Sequence, residues 1–405
     1  MRILAALRQR HLAVLWLGQV CSAIGDQVYG IAVIWFAVRV VGNQAGFIGA
    51  AQSAAALLVG LLGGVYADRW NRRATMIGVD MVRGVAVALL PVATLLGPLN
   101  LWELASIAVV VGGLGALFDP ALQASLPALA GDADILQATN GLMDATRRLA
   151  RILGPGLASV LAAVLPLVQF FTIDALSFGI SALAMGALGH RFAWTPPPQH
   201  KHARGVRGIA TEINAAVRLV SRHPWLPYAL AGLGVGNAVW SLGFTLGVAL
   251  LVTRTLGGGL GAYGLIIGAY GVGNVVSNLI IGSWTIRRRA RVTFVGRVVL
   301  GGGFFLLSLA PTVPLAMLAA AFAAIGGPLT DLPLLTVLQI DFPAEQIGKV
   351  YSLLMIVEGG GSLLGLLVAV PLFDHLGIST TIAISSSAVM IIGAIGLVHI
   401  GRIER

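Results

Sequence analysis

The sequence contains few charges, one cysteine and no histidine in the middle of its apolar runs. Only 10% of its 405 residues are charged, compared with about 25% in a soluble globular domain, so a soluble protein is excluded. The lone Cys21 lies within the first apolar run, so neither a disulfide framework nor a cysteine-based zinc site is available. All seven histidines stand at the ends of the runs or between them, which leaves an intramembrane enzyme without a buried base or metal cluster.

Long apolar runs make up most of the chain, and 57% of the residues are hydrophobic. A helix needs about 20 such residues to cross about 30 Å of hydrocarbon. The runs do not alternate with polar residues, so they indicate helices rather than the strands of a barrel. We therefore predict an all-α polytopic membrane protein with twelve transmembrane helices in two six-helix bundles. The predicted spans are 12–40, 45–67, 74–97, 101–122, 136–164, 168–189, 225–252, 262–285, 292–311, 314–339, 349–373 and 378–400.

The basic residues predict the topology of these spans. If the amino terminus is inside the cell, 19 of the 26 lysines and arginines fall on the cytoplasmic side and two, Arg39 and Arg254, on the opposite side. This bias predicts that both termini are cytoplasmic in a bacterial inner membrane. The net charge of +10 is scattered over short loops, so it does not indicate nucleic-acid binding.

One long polar segment, residues 191–224, separates an amino-terminal bundle, 1–190, from a carboxy-terminal bundle, 225–405. We interpret the segment as a cytoplasmic linker. The two bundles show weak internal similarity: a shift of 211 positions places Gly154 on Gly365. Six spans in each half and such correspondences predict the duplicated plan of secondary transporters.

Within the linker, residues 209–220 have helical periodicity. Ile213, Val217 and Val220 fall on one face and charged residues on the other. The pattern predicts a short amphipathic helix that lies on the membrane surface.

A charged turn, Gly64-Val-Tyr-Ala-Asp68-Arg69-Trp-Asn-Arg72-Arg73, joins the second and third spans. Its glycine, its acid and its three arginines resemble the loop between helices 2 and 3 of the major facilitator superfamily of secondary transporters. The resemblance covers the full chain and implies a twelve-helix fold. It also implies that this turn is a conformational latch, in which Asp68 meets the positive amino-terminal end of helix 11.

Asp26 lies at the midpoint of the first predicted span, where an ionisable group is costly and usually has a function. No basic residue lies within one helical turn of it, and such an isolated carboxyl group can take up and release a proton. We interpret Asp26 as a proton or substrate site. The alternative is a buried acid that only packs against a neighbouring helix. In the third span, Asp80 and Arg83 are three positions apart, so they are expected to pair with each other.

In the superfamily, spans 1, 4, 7 and 10 face a central cavity. The resemblance therefore places Asp26, Asp119, Asn237 and Asp331 on cavity-forming helices. Asp119 and Asp331 lie nearer the cytoplasmic ends, so contacts at a gate and contacts with substrate are equally open for them. Glycine and two prolines near Asp331 are expected to loosen the tenth span.

The fifth span carries Asp144, Arg147, Arg148 and Arg151. Asp144 and Arg148 are four apart and can pair on one helix face. Arg147 and Arg151 either face the cavity, where they would bind an anionic group or a carboxylate, or extend toward the cytoplasmic interface. The shift of 211 puts Glu358 at the position of Arg147, which makes Glu358 a candidate partner.

Gly154-Pro155-Gly156 resembles the core of the fifth-span motif of antiporters in the superfamily. Proline bends a helix and glycine admits a close neighbour, so the three residues are expected to form a pivot. With Ser22-Ala-Ile-Gly-Asp26 in the first span, this makes the chain look most like the bacterial drug/proton antiporters that export macrolides and siderophores.

The sequence thus predicts a proton-coupled exporter of a small amphipathic molecule. The alternative is a carrier of lysophospholipid, another lipid or a siderophore, with the fifth-span arginines as its head-group site. We expect no enzymatic activity, metal or cofactor, with the proton gradient as the energy source. The expected partners are substrate, protons and the lipid bilayer, and the expected state is a monomer.

Overall fold

The computed structural model describes residues 6–66, 71–189 and 206–403, and most of these are helical. Within them, ten stretches are long and apolar enough to cross a membrane. One of the ten, Arg10–Leu61, covers the first predicted span and most of the second. The charged fifth span is not among the ten and contributes the shorter apolar stretch Leu153–Val164. The prediction of an all-helical polytopic protein is confirmed.

The chain forms two compact units. The first comprises Met1–Val40 and Ala51–Lys201, and the second comprises Val41–Ala50 and His202–Arg405. The short segment Val41–Ala50, between the first and second spans, belongs to the second unit, where the Asn43 amide donates a hydrogen bond of 2.5 Å to Asp374.

The first unit contains six long helices, three of which begin at a side-chain cap. Asn71, Asn100 and Asp132 each accept a backbone N–H of the following turn, which satisfies donors that a helix start leaves open. The fourth helix continues past the predicted end at residue 122 to Ala130. The helices are α1 (Arg10–Val41), α2 (Ala45–Tyr66), α3 (Arg72–Leu96), α4 (Leu101–Ala130), α5 (Ala133–Val164) and α6 (Val168–Ala187).

Glycines bring α1 and α6 close together. A Cβ atom on Gly18 would lie 2.7 Å from the Cβ of Ala184. A Cβ atom on Gly25, two turns further along, would collide with Ser177 and lie 2.7 Å from a carboxylate oxygen of Asp174. The two backbones can therefore approach only because these positions lack side chains, and this approach positions Asp26 beside the polar face of α6.

The second unit contains an amphipathic helix and six further spans. The seventh span is interrupted by a π-helical segment, Trp240–Leu246, which the sequence did not predict. The helices are α7 (Val206–Ser221), α8 (Leu226–Val239), α9 (Gly247–Arg254), α10 (Leu260–Gly282), α11 (Arg289–Ser308), α12 (Val313–Ile340), α13 (Ala344–Leu376) and α14 (Ile378–Ile403).

The tenth span does not loosen as expected, because α12 runs unbroken through Pro328 and Pro333. Proline lacks an N–H, so Pro328 cannot bond the carbonyl of Ala324, four residues earlier. The Ser277 hydroxyl lies 3.5 Å from that carbonyl oxygen, and its shorter hydrogen bond, of 3.0 Å, goes to the Asn274 carbonyl of its own helix. A polar group of a neighbouring helix therefore lies near the carbonyl that the proline leaves open.

The amphipathic helix α7 packs on its own unit through one face. Ala216 and Val220 are buried in an apolar cluster that includes Trp225 and Leu226. Val217, predicted to share the apolar face, is exposed. The buried face is therefore rotated toward Ala216, and it fixes α7 against the start of the seventh span.

Candidate functional site

Arg83 of α3 lies at the centre of a polar cluster in the first unit. One guanidinium nitrogen donates a hydrogen bond of 2.8 Å to Asp26, and another lies 4.0 Å from Asp80. The guanidinium carbon lies 4.1 Å from the ring centroid of Phe178, a distance at which a cation is attracted to an aromatic face. The expected contact with Asp80 exists, but the shorter one corrects the picture of Asp26 as an isolated acid.

Two further carboxyl groups stand behind this ion pair. Asp80 and Asp174 are fully buried, and the Ser177 hydroxyl lies 3.3 Å from a carboxylate oxygen of Asp174. Among the described residues, neither oxygen of Asp80 has a well-formed hydrogen bond, although the Ser181 hydroxyl lies beside it. Arg83 acts electrostatically on all three acids, so their charge exceeds its own when all are ionised. The cluster can thus accept a proton or another positive charge.

The three acids differ in access. The Asp26 side chain is 38% exposed, whereas the other two have no exposed surface. An ion pair that faces hydrocarbon is costly, so the exposed part of Asp26 is expected to line a water-filled space. Asp26 is therefore the most accessible carboxyl group of the cluster.

The charges of the fifth span are largely matched within the first unit. Arg147 lies 3.2 Å from Asp119 of α4, and Arg148 lies 2.8 Å from Asp144 on its own helix. The second contact confirms the predicted pairing four residues apart. The first joins two candidates that the sequence treated separately. Arg151 is exposed.

Of the three predicted pivot residues, Gly154 makes a close interhelical approach. A Cβ atom on Gly154 would lie 2.5 Å from the Cβ of Gln27, the neighbour of Asp26 on α1. Pro155 lies inside α5, which remains a continuous helix, and a Cβ atom on Gly156 would meet nothing within 4 Å. The crossing of α5 over α1 thus lies next to the Arg83 cluster.

The second unit holds a buried arginine that the sequence did not single out. Arg297 of α11 is 4% exposed. Its guanidinium group packs over Gly232 and Gly236 of α8, and its Cβ lies 3.0 Å from the position that a Cβ on Gly393 would take. Its Nη2 atom has no hydrogen-bond partner among the described residues. A charge in the middle of a span was the available signal, but its surroundings were not visible in the sequence.

Asp331 and Glu358 lie within electrostatic range of Arg297. Asp331 is exposed and Glu358 is half-buried. Asn237 of α8 donates to the Leu233 carbonyl at 3.1 Å. The structure therefore brings together Asp331, Glu358 and an arginine of the same unit.

The predicted latch is described in part. Gly64 lies in the last turns of α2, and Asp68 and Arg69 lie outside the described residues. Arg73 donates to the carbonyls of Met185 and Gly186 at 3.1 and 2.6 Å.

Arg72 donates to the Ala124 carbonyl at 2.6 Å. Arg72 thus binds a carbonyl of α4, and Arg73 binds carbonyls of α6. The α6 carbonyls lie at the carboxy-terminal end of the helix, where cations are favoured.

Comparisons with known proteins agree with this architecture. A family model described as Major Facilitator Superfamily matches residues 15–366. The multidrug efflux pump Tap of Mycolicibacterium fortuitum is 24% identical over 399 residues, which cover 93% of this chain and 92% of the relative. Macrolide efflux protein A of Streptococcus pyogenes is 26% identical over 175 residues, or 42% of each chain.

Solved structures share the fold. The POT family transporter PepTSo superposes with a TM-score of 0.78 at 11% identity, covering 97% of this chain and 98% of that one. A POT family transporter in complex with 5-aminolevulinic acid gives a TM-score of 0.76 at 14% identity, covering 98% and 97%. Because the family model spans most of the sequence, the chain belongs to the Major Facilitator Superfamily and is a multi-pass membrane transporter, not an enzyme.

Proposed function

We propose that this transporter exports a small amphipathic molecule in exchange for protons. Two observations support export: the relatives named as multidrug and macrolide efflux proteins, and the Gly154-Pro155-Gly156 element of α5. The proton-coupling role is assigned to Asp26. The observation that carries it is the 2.8 Å contact between this half-exposed carboxylate and Arg83.

The proton exchange follows from competition for one guanidinium group. When Asp26 is ionised, Arg83 holds it. When Asp26 takes up a proton, this contact weakens, and Arg83 turns toward Asp80, which already lies within 4.0 Å. A proton at an accessible site thereby changes the contacts among α1, α3 and α6, and such a change of helix contacts can bias alternating access.

The proposal also includes the location and topology of the transporter. The transporter resides in the bacterial inner membrane as a monomer, and both of its termini are cytoplasmic. The distribution of basic residues supports this orientation, with 19 on one side and two on the other.

A carrier of lipid or siderophore is less well supported. That alternative needs free positive charge in the fifth span to bind an anionic head group. Arg147 and Arg148 each already contact a carboxylate, at 3.2 and 2.8 Å, which leaves Arg151 as the one arginine of this span for an anionic head group.

The test uses proteoliposomes that contain a pH-sensitive dye. Addition of amphipathic antibiotics, among them a macrolide, is expected to change the lumenal pH through the wild-type protein and not through Asp26→Asn. Asp144→Asn is the matched control, since it also removes a carboxylate that lies 2.8 Å from an arginine of the same unit. Normal drug-driven proton flux through Asp26→Asn would show that the proton assignment is wrong.

If both proteins instead translocate a fluorescent lysolipid and neither moves the antibiotics, the lipid-carrier alternative replaces the export proposal.

A further inference from the structure

The charges that surround Arg297 do not balance among the described residues of the second unit. Asp331 and Glu358 act electrostatically on each other and on Arg297. Two carboxylates and one guanidinium group leave one negative charge in excess. Arg297 is buried, and its Nη2 atom is unpartnered among the described residues. Buried charges inside a membrane span are costly unless they serve binding or transport.

An aromatic wall stands beside these charges. Tyr270 lies within electrostatic range of Asp331, and its ring centroid is 4.3 Å from that of Phe244. The ring centroid of Trp240 lies 5.8 Å from that of Phe244. Phe304 stacks on Phe244, also with a distance of 5.8 Å between ring centroids. Trp240 and Tyr270 are half-buried, whereas Phe244 and Phe304 are buried. Two ring surfaces are therefore available to a ligand.

The wall depends on the π-helical segment of the seventh span. Trp240 and Phe244 both lie in it. The N–H of Gly247 bonds the carbonyl of Leu242, five residues earlier, which widens the turn. Single π-helical turns in α-helices occur frequently at functional sites because they redirect side chains.

The geometry points to a binding site in the second unit for a hydrophobic cation, with Asp331 and Glu358 for its charge and Trp240 and Tyr270 for its apolar body. This inference rests on the proposed export of an amphipathic molecule and defines its chemical class. Carboxylates attract the cation, and aromatic faces add cation–π attraction. The cation supplies the positive charge that the two carboxylates and one guanidinium group lack.

Arg297 acts as a positioning residue for this site. It does not contact the cation but holds the two carboxylates in its field and reduces their excess charge to one. The site is therefore matched to a single positive charge.

The test is a binding measurement on the purified full-length protein without any gradient. Tetraphenylphosphonium and tetraphenylborate serve as probes, because they have nearly the same shape and opposite charge. Wild type is expected to bind the cation at least tenfold more tightly than the anion. The double variant Asp331→Asn/Glu358→Gln should bind the cation at least tenfold more weakly than wild type and the anion no more weakly.

Asp341→Asn is the matched control, since Asp341 follows the end of α12 and pairs with His223 at 3.2 Å. It should bind the cation like wild type. Tyr270→Leu provides a second measurement that leaves all charges in place, and it should weaken cation binding.

Cation binding that is unchanged in both the double variant and Tyr270→Leu would overturn the inference, as would tighter binding of the anion by wild type. Asp26→Asn should still bind the cation. The binding experiment therefore tests the cation site independently of the proton-flux experiment, which tests the role of Asp26.

Discussion

Replacement of Arg83 is expected to expose the internal charge balance of the first unit. Arg83→Gln removes the cation that contacts Asp26 at 2.8 Å and Asp80 at 4.0 Å. Loss of one partner from a buried ion pair costs about 3–5 kcal/mol, because the other charge remains buried. Asp26 is 38% exposed and so partly solvated, which places the cost near the lower end, about 3 kcal/mol.

A second substitution should recover much of this loss. In Arg83→Gln/Asp26→Asn the buried cation and its nearest anion are both absent, so less charge remains unpaired. We expect the double variant to be more stable than Arg83→Gln alone by about 1–2 kcal/mol, a coupling of the size found for contacting residues. Arg83→Lys keeps the charge but loses the planar contact with Phe178, so it should be intermediate.

The assay follows unfolding in detergent through Cys21, the single thiol of the chain. A dye that fluoresces when it reacts with thiols reports the opening of α1, in which Cys21 is partly buried. About 3 kcal/mol corresponds to a decrease in Tm of about 6–12 °C for a unit of this size. An Arg83→Gln protein as stable as wild type, or a double variant no more stable than Arg83→Gln, would refute the central role of Arg83.

Three further predictions test the packing around the two sites with the same unfolding assay. Gly25→Val should destabilise by more than about 3 kcal/mol, because its side chain collides with α6, whereas Gly30→Val meets nothing within 4 Å; equal effects would contradict the close approach of α1 and α6. Gly154→Leu should lower Tm and Gly156→Leu should not, since only the first faces a neighbouring helix within 4 Å; the reverse order would contradict the crossing of α5 and α1. Arg73→Gln should cost about 1 kcal/mol by removing both hydrogen bonds to the end of α6, and an unchanged Tm would show that they do not contribute.

The helices could be predicted from the sequence because membrane insertion is a local property. About 20 apolar residues must be helical in hydrocarbon wherever they occur, so the predicted seventh span, 225–252, lies close to the observed Leu226–Arg254. The expectation that Pro328 and Pro333 loosen the tenth span was wrong, because the helix continues through both. The Ser277 hydroxyl, which lies 3.5 Å from the carbonyl that Pro328 leaves open, belongs to a different helix, and no local pattern reveals it.

The candidate sites could be predicted only in part, because contacts between helices depend on which faces meet. Asp26 can be recognised in the sequence as a charge in the middle of a span. Its partner Arg83, however, lies 57 residues away, and Asp80 is closer to Arg83 in the sequence. Periodicity assigns a residue to a helix face and not to a neighbour. The π-helical turn at Trp240 has no signal in apolar composition, so the aromatic wall beside Asp331 was missed.

The two units repeat one packing plan with different charges. Gly154 packs on Gln27 in the first unit, and Gly365 packs on Ala238 in the second. Both residues of the second contact lie 211 positions after their counterparts in the first. The same shift carries Asp26 onto Asn237.

Each unit has a buried arginine in its third span, Arg83 or Arg297, but an amide cannot neutralise a guanidinium group as a carboxylate does. Arg297 therefore lacks the first-span partner that Arg83 has and is left in the field of Asp331 and Glu358. The units differ at two corresponding positions: Asn237 replaces Asp26 in the first span, and Glu358 replaces Arg147 in the fifth. The first unit therefore has two close ion pairs, at 2.8 and 3.2 Å, where the second has acids in the field of Arg297. This difference is what allows the proposed proton site and the proposed cation site to occupy separate halves of a duplicated chain.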